Sequence, residues 1–495
     1  MGQYLSPGVY VEEVSGGSKP IEGVGTSTGA FVGIAKMGPI GVAKEIANWT
    51  QFVNTFGSYT ADGYLAYAVS QFFSEGGTRC YVVRTCHYED DKKTSASSTA
   101  TLKDDKNDDT INVTASSDGK WSEDVSIEIK KATDLADGVK LIVKYKGTEE
   151  IFDNLTNANI EEIVNNKSAF IRMSREDPER IPKVDQTVKL AGGKDGIKDD
   201  DGKSTLIAAD FEGDEKLQNG LHAFDTVDDI NIVAIPDGAA NKDINKDVIS
   251  AGLKYCGLRK DCFFIADPTG DLDPMAVRTF RSGLNSSYGA LYYPWVIISD
   301  PLTGKKKTMP PSGAVAGTYA HTDSVRGVHK APAGISEGFL DSVSGVERII
   351  TKSEHDGLNP VGINVIRSFP TSGICIWGAR TLSADPEWKY INIRRLFLFL
   401  EESIDKGTQW VVFEPNDPAL WGKVKRNLTA FLSRVWRDGA LFGGTPEEAF
   451  YVKVDAENNP PEVRDAGQLV IEVGVAPVRP AEFVIIRISQ KTLEK

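Results

Sequence analysis

Between residues 225 and 300 the chain alternates short apolar runs with stretches of helix length, and this alternation narrows the folds open to it. INIVAIPDG (230–238), CFFIADPTG (262–270) and ALYYPWVII (290–298) read as strands. DINKDVISAGLKYCGL (243–258) and DPMAVRTFRSGL (273–284) lie between them with helical spacing. Apolar strands joined by helical crossovers predict a parallel sheet with helices on its faces. The pattern starts earlier, with a strand at GAFVGIA (29–35) and a second at CYVVR (80–84). Between them Tyr64, Leu65, Ala68, Val69, Phe72 and Phe73 share one helix face, and Gly76–Gly77 ends that helix.

From about Glu89 to Lys203 the composition shifts. Charge clusters (EDDKK, KDDKNDD, KDDDGK) flank short alternating strands such as VSIEI and LIVKYK, which predicts a β-rich surface insertion with a solvated exterior. With 495 residues the chain exceeds what one core organises, so several domains are expected. The expected fold class is α/β (α+β) and multi-domain. Its parts are an arm and linker (1–25), a discontinuous α/β domain (26–88 with 205–354), the insertion (89–204) and a C-terminal domain (355–495).

In that last part, residues 383–407 predict a long helix, with Asp385 as N-cap, Pro386 in the first turn and Gly407 as stop. A strand is expected at QWVVFEP (409–415), then a helix capped by Asp417 and Pro418 and running to Gly439. FYVKV, QLVIEVGV and EFVIIRI predict three final strands. At the other end, Tyr4–Val14 alternates loosely and is followed by the linker SGGSKPIEGVG (15–25). That segment reads either as an arm or as a first strand pairing within its own subunit.

Composition excludes some functions. A net charge of -14 and a pI near 5.1 argue against general nucleic-acid binding, which needs a basic footprint. No apolar run approaches the roughly 18 residues that span a bilayer, so no membrane insertion is expected. The start, MGQYLSPGVYVEE, lacks the basic and apolar regions of a secretory signal. The five cysteines (Cys80, Cys86, Cys256, Cys262 and Cys375) have no zinc-like spacing and read as reduced core thiols made in a cytoplasm.

Catalytic and ligand motifs are mostly missing. GGKDGIKDDDGKS (192–204) encloses five residues between Gly196 and Gly202 where a P-loop has four, and acidic neighbours would repel phosphate. GVGTSTG (23–29) has its third glycine misplaced for a dinucleotide site. The five histidines have no HExxH or triad-like setting, and Lys305–Lys307 reads as a solvated turn. No cofactor, metal or catalytic residue is expected. The alternative is a metal-dependent hydrolase using Asp237 and Asp267, which follow strands of the α/β region where open sheets hold ligands. Pro-Asp-Gly and Asp-Pro are also ordinary turn formers.

One helix carries a charge pattern. Leu420, Val424, Leu428, Phe431 and Val435 form an apolar face of 417–439, and Lys423, Arg426, Arg434 and Arg437 fall within an arc of roughly 80° on nearly the opposite side. In an acidic chain this basic stripe predicts docking to an acidic partner.

Longer segments carry a family resemblance. PPSGAVAGTYAHTDSVRGVHKAPAG (310–334), LNPVGINVIRSFPTSGICIWGARTL (358–382), DPEWKYINIRRLFLFLEESIDKGTQWVVFEPND (385–417), TPEEAFYVKVD (445–455) and GVAPVRPAEFVIIRI (474–488) strongly resemble the contractile tail sheath family. That family covers contractile phage tails, phage-tail-like injection systems and bacteriocins. SPGVYVEE (6–13), GAFVGIAKMGP (29–39), WTQFVNTFG (49–57) and FFSEGGTRCYVVR (72–84) fit it too.

The resemblance implies a non-enzymatic subunit that stacks as six-fold rings around an inner tube and contracts on a signal from a baseplate. It implies contact with baseplate and terminator or cap proteins, assembly in the cytoplasm, and a place in a tail or tail-like particle. It also implies that both chain ends add strands to neighbouring subunits. By matching segment, the arms are about Tyr4–Val14 and, from Glu482, about residues 482–495, with Tyr4, Val9, Tyr10 and Val11 pairing at one end and Phe483, Val484, Ile485, Ile486 and Ile488 at the other. The hinge falls at Gly16, Gly17 and Pro20, and the basic stripe is the candidate tube contact.

Overall fold

A computed structural model describes residues 20–176 and 180–486. The expected alternation builds an eight-stranded sheet. Its strands are β1 (Gly29–Gly33), β2 (Lys44–Ile46), β3 (Cys80–Arg84), β4 (Ile232–Ala234), β5 (Phe263–Ala266), β6 (Gly289–Tyr293), β7 (Ile363–Phe369) and β8 (Gly373–Ile376). The order is β2-β3-β1-β4-β5-β6-β7-β8. The six inner strands run parallel, and β2 and β8 close the edges antiparallel.

Alternate residues of the parallel strands enter two separate cores. Phe31, Ile232, Ala234, Phe263, Ile265, Ala290 and Tyr292 face one side. Ala30, Val32, Val233, Phe264, Leu291 and Tyr293 face the other. This is the period-two consequence of a sheet buried on both faces.

On the first face lie α1 (Trp49–Phe56) and α2 (Leu65–Ser74), with α5 (Ser312–Arg326) further along the chain; α3 (Asn245–Arg259) and α4 (Pro274–Arg281) cover the second. Helix α2 meets α5 backbone to backbone. A Cβ on Gly313 would lie 2.4 Å from Ala68, and one on Gly317 would lie 2.6 Å from the Phe72 carbonyl oxygen. Asp273 caps α4 by accepting from the N–H groups of Met275 (2.9 Å) and Ala276 (2.7 Å).

The insertion supplies nearly all of a third core, which Met37 also joins. A four-stranded sheet (148–155, 139–145, 126–131, 186–189) and a three-stranded one (171–175, 109–115, 99–103) enclose Leu102, Ile111, Val113, Ile127, Leu141, Val143 and Ile171.

By compactness the described residues divide into two units, 25–398 with 479–486, and 20–24 with 399–478. The boundary expected at 355 falls inside the larger unit, whose sheet runs on through Ile376.

The smaller unit contains the end of α6 (Ile391–Thr408), all of α7 (Pro418–Arg437), and a two-stranded antiparallel sheet of β9 (Phe450–Lys453) and β10 (Glu472–Val475). Two expectations change here. Asp385 caps a 3-10 turn (Pro386–Trp388), not the long helix, which begins at Ile391. Residues 409–415 form no strand: a 3-10 turn covers Gln409–Val411, and Phe413 takes a left-handed φ of 69°, which a strand cannot pass through.

Candidate functional site

Helix α7 forms as its sequence predicts. Asp417 accepts from the Leu420 N–H at 2.8 Å, Pro418 occupies the first turn, and Leu420, Trp421, Val424, Leu428, Phe431, Leu432 and Val435 are buried. Lys423, Arg426, Arg434 and Arg437 are all exposed, as the amphipathic pattern requires. Arg434 is nevertheless engaged: its guanidinium donates to the carbonyl of Ile21. Ile21 is buried against Gly407, and the Val24 N–H donates to Ser403 Oγ at 3.1 Å. The linker is therefore fastened from Ile21 onward. Of the hinge residues only Pro20 is described. Gly16, Gly17, Tyr4, Val9, Tyr10, Val11 and Ile488 lie outside the described residues.

The C-terminal run is described as far as Ile486. Phe483, Val484, Ile485 and Ile486 are 70–79% exposed. Among the described residues they have no strand partner and no hydrogen bond. Four consecutive apolar side chains in water cannot be explained by the subunit's own packing.

Strands β9 and β10 pair only with each other, Phe450 opposite Val475 and Lys453 opposite Glu472, so among the described residues each keeps one edge free of strand partners. A lone two-stranded sheet is marginal and its edges are templates for another chain.

Sequence patterns missed what precedes the run. Glu482 is gripped by Arg380, whose Nε and Nη2 each donate at 2.7 Å, by Asn359 Nδ2 (2.8 Å) and by the Tyr390 hydroxyl (3.0 Å). Lys389 Nζ stands 3.6 Å away. Burial alone would raise this carboxyl, but the bonds from Arg380 and Asn359 and the charge of Arg380 hold it down at about 2. The sole sequence signal was an acid immediately before an apolar strand pattern.

The alternative enzyme site dissolves into framework. Asp237 accepts from the backbone N–H of Ile34 (2.7 Å) and of Tyr64, tying two loops together. Asp267 accepts from the N–H of Ser312 (3.1 Å), the first residue of α5. Only 3% and 4% of these residues is exposed, so neither carboxylate is open to a substrate. Burial pushes Asp237 up to about 6 and Asp267 to about 7. Among the described residues no group of three His, Cys, Asp or Glu could hold a metal, and no helix is long and apolar enough to cross a membrane. All five cysteines are buried free thiols.

Residues 212–382 match the central domain of phage tail sheath proteins, and 383–491 match the phage tail sheath C-terminal domain. The tail sheath protein of Vibrio phage KVP40 is 26% identical over 224 residues, 44% of this chain and 31% of that protein. That of Burkholderia phage BcepMu is 30% identical over 203 residues, 39% of this chain and 40% of the other. The matched part thus spans about a third of the length of the first relative. The helical sheath of the anti-feeding prophage in its contracted state aligns with 99% of this chain and 100% of its own, at 25% identity and a TM-score of 0.59. A chain of the anti-feeding prophage baseplate aligns over 99% and 100%, at 26% identity and a TM-score of 0.58. The contracted sheath complex of the PVC extracellular contractile injection system shares the fold at 21% identity and a TM-score of 0.61, over 99% of each chain.

Proposed function

This chain belongs to the phage tail sheath protein family, and on that premise we propose that it is the structural subunit of a contractile sheath. Copies polymerise as stacked six-fold rings around an inner tube, and their contraction drives the tube through a target envelope. Assembly takes place in the cytoplasm, against a baseplate and a terminator or cap, and the product is a tail or tail-like particle. The subunit carries no catalytic step, since a metastable polymer stores its energy in contacts between copies.

The observation that carries this reading is the exposed run Phe483–Ile486 in a chain that also holds a two-stranded sheet with open edges. Strand addition to a neighbour's β9–β10 sheet would cover both. Each main-chain hydrogen bond gained is worth about 0.5–1.5 kcal/mol net, and each large apolar side chain buried adds about 1.5–3 kcal/mol. Joints of this kind outlast wetter surface contacts and keep copies linked while the rings rearrange. The N-terminal arm, residues Tyr4–Val14, is assigned the same role, with Gly16, Gly17 and Pro20 as its hinge.

Lys423, Arg426, Arg434 and Arg437 form the surface proposed to face the tube. Arg434 has a second task in it, because it also holds Ile21.

Electron microscopy of the purified chain tests the reading. Rings or tubes are expected from the chain alone, and extended and contracted polymers when tube and baseplate are supplied. A chain that stays monomeric at every concentration, or one polymer length only, overturns it.

A further inference from the structure

We infer that Glu482 is the pivot that presents the C-terminal strand to a second copy of this chain: its carboxylate is locked to the α/β sheet, while the apolar run that begins one residue later is left free to pair. This deepens the strand-exchange reading and rests on it.

The lock can be followed outward from the sheet. Asn364 lies in β7 with no exposed surface. Its Oδ1 accepts from the backbone N–H of Arg380 at 2.7 Å, and its Nδ2 donates to the Arg380 carbonyl oxygen at 2.7 Å. The backbone at Arg380 is thereby fixed to an inner strand, next to the β8 edge. Its side chain is fixed as well, since Nη1 donates to the Asn359 carbonyl oxygen at 3.0 Å. Nε and Nη2 then form a two-pronged pair with Oε1 and Oε2 of Glu482. Asn359 Nδ2 and the Tyr390 hydroxyl use the remaining lone pairs, one on each oxygen. With four donors in place, the side chain has a single orientation.

One residue further on, the interactions stop. From Phe483 to Ile486 every side chain points largely into water, with no hydrogen bond to the described residues. Such a sharp change from fully satisfied to unsatisfied is the arrangement a donated strand needs. The starting point of the run is fixed relative to the sheet. Fixing that point before binding removes part of the ordering cost from the binding step. The apolar content of the run and the need for main-chain pairing select an exposed strand edge, and β9–β10 of a second copy supplies one.

The five native cysteines are buried, so Ile485→Cys gives one reactive thiol on the run of the full-length chain. A nitroxide attached there reports the motion of the segment in dilute subunit. Broader lines are expected with Glu482 in place than in Glu482→Ala, where tethering at that point is lost, and an intermediate spectrum in Glu482→Gln, which keeps the acceptor oxygen without the charge. In unlabelled protein, Glu482→Ala should raise the concentration for half-maximal polymer about tenfold, which corresponds to about 1.4 kcal/mol. Should the alanine variant misfold, the glutamine variant carries the same comparison. Equal label mobility in all three chains, or a polymer midpoint within about twofold of the parent, overturns the pivot. Deleting residues 483–495 separates the two levels. Normal polymerisation of that deletion removes strand exchange itself, whereas lost polymerisation with an unaffected Glu482→Ala removes only the pivot.

Discussion

Asp267→Asn should make the subunit more stable at neutral and alkaline pH and take away part of its pH dependence. Asp267 is buried, and its pKa is raised from 3.8 to about 7 by loss of hydration. Between those values the folded chain keeps a proton that the unfolded chain has lost, so stability falls as pH rises through the window and levels off above it. At 1.36 kcal/mol per unit, burying this carboxyl costs about 4 kcal/mol at pH 8, where it is ionised in both states, and about 2 kcal/mol at pH 5, where the folded chain holds its proton. The Asp267 share of the pH effect is the difference, about 2–3 kcal/mol. Asparagine keeps an acceptor for the Ser312 N–H and adds a donor at a place where, among the described residues, the second carboxylate oxygen and the Ser312 hydroxyl have no hydrogen-bond partner.

The assay is urea unfolding of dilute monomeric subunit at pH 5 and pH 8, followed by tryptophan fluorescence. The parent should lose stability between the two pH values, and the variant should lose about 2–3 kcal/mol less. Asp237, at about 6, contributes in the same direction and is left intact. An unchanged pH difference, or a variant weaker than the parent at pH 8, would refute the assignment of Asp267 as a buried framework carboxyl.

Arg426→Glu with Arg437→Glu should weaken sheath assembly on the tube in a co-sedimentation assay and leave polymerisation of the chain alone intact. Arg434→Glu should additionally loosen the linker at Ile21, seen as faster proteolysis near residue 20. Gly317→Leu should destabilise the subunit by several kcal/mol, because a Cβ there would already stand 2.6 Å from the Phe72 carbonyl oxygen; a melting temperature within about 2 °C of the parent would contradict that close packing. Asp417→Ala removes the cap of α7 and should cost about 1 kcal/mol in urea unfolding.

The parallel sheet was legible because its strands are continuous apolar runs separated by helices, a pattern that only a doubly covered sheet satisfies. Helix α7 was equally legible, since Asp417, Pro418 and the apolar spacing all point to one start and one face. The segment at 409–415 was misread for a local reason. Trp410, Val411, Val412 and Phe413 have strand composition, but Phe413 adopts a left-handed backbone that composition does not encode. The grip on Glu482 could not be read at all. Its partners Asn359, Arg380 and Tyr390 are 92–123 residues away in sequence, so no periodicity connects them. The engagement of Arg434 escaped for the same reason, as Ile21 lies 413 residues before it.

The β-rich insertion has a further property that follows from how it enters and leaves the fold. Its two ends are stitched to each other: the His87 N–H donates to the Gly196 carbonyl oxygen at 2.7 Å, and Ala96 and Thr99 pair with Lys194 and Ala191. Because the ends meet, another module could in principle replace it without rethreading the sheet. One residue would record the exchange. Arg84, on β3 and almost fully buried, donates to the Asp118 carbonyl oxygen at 2.8 Å and faces Asp195 at 3.8 Å. A smaller or foreign module must either supply equivalent acceptors or arrive together with a neutral residue at position 84.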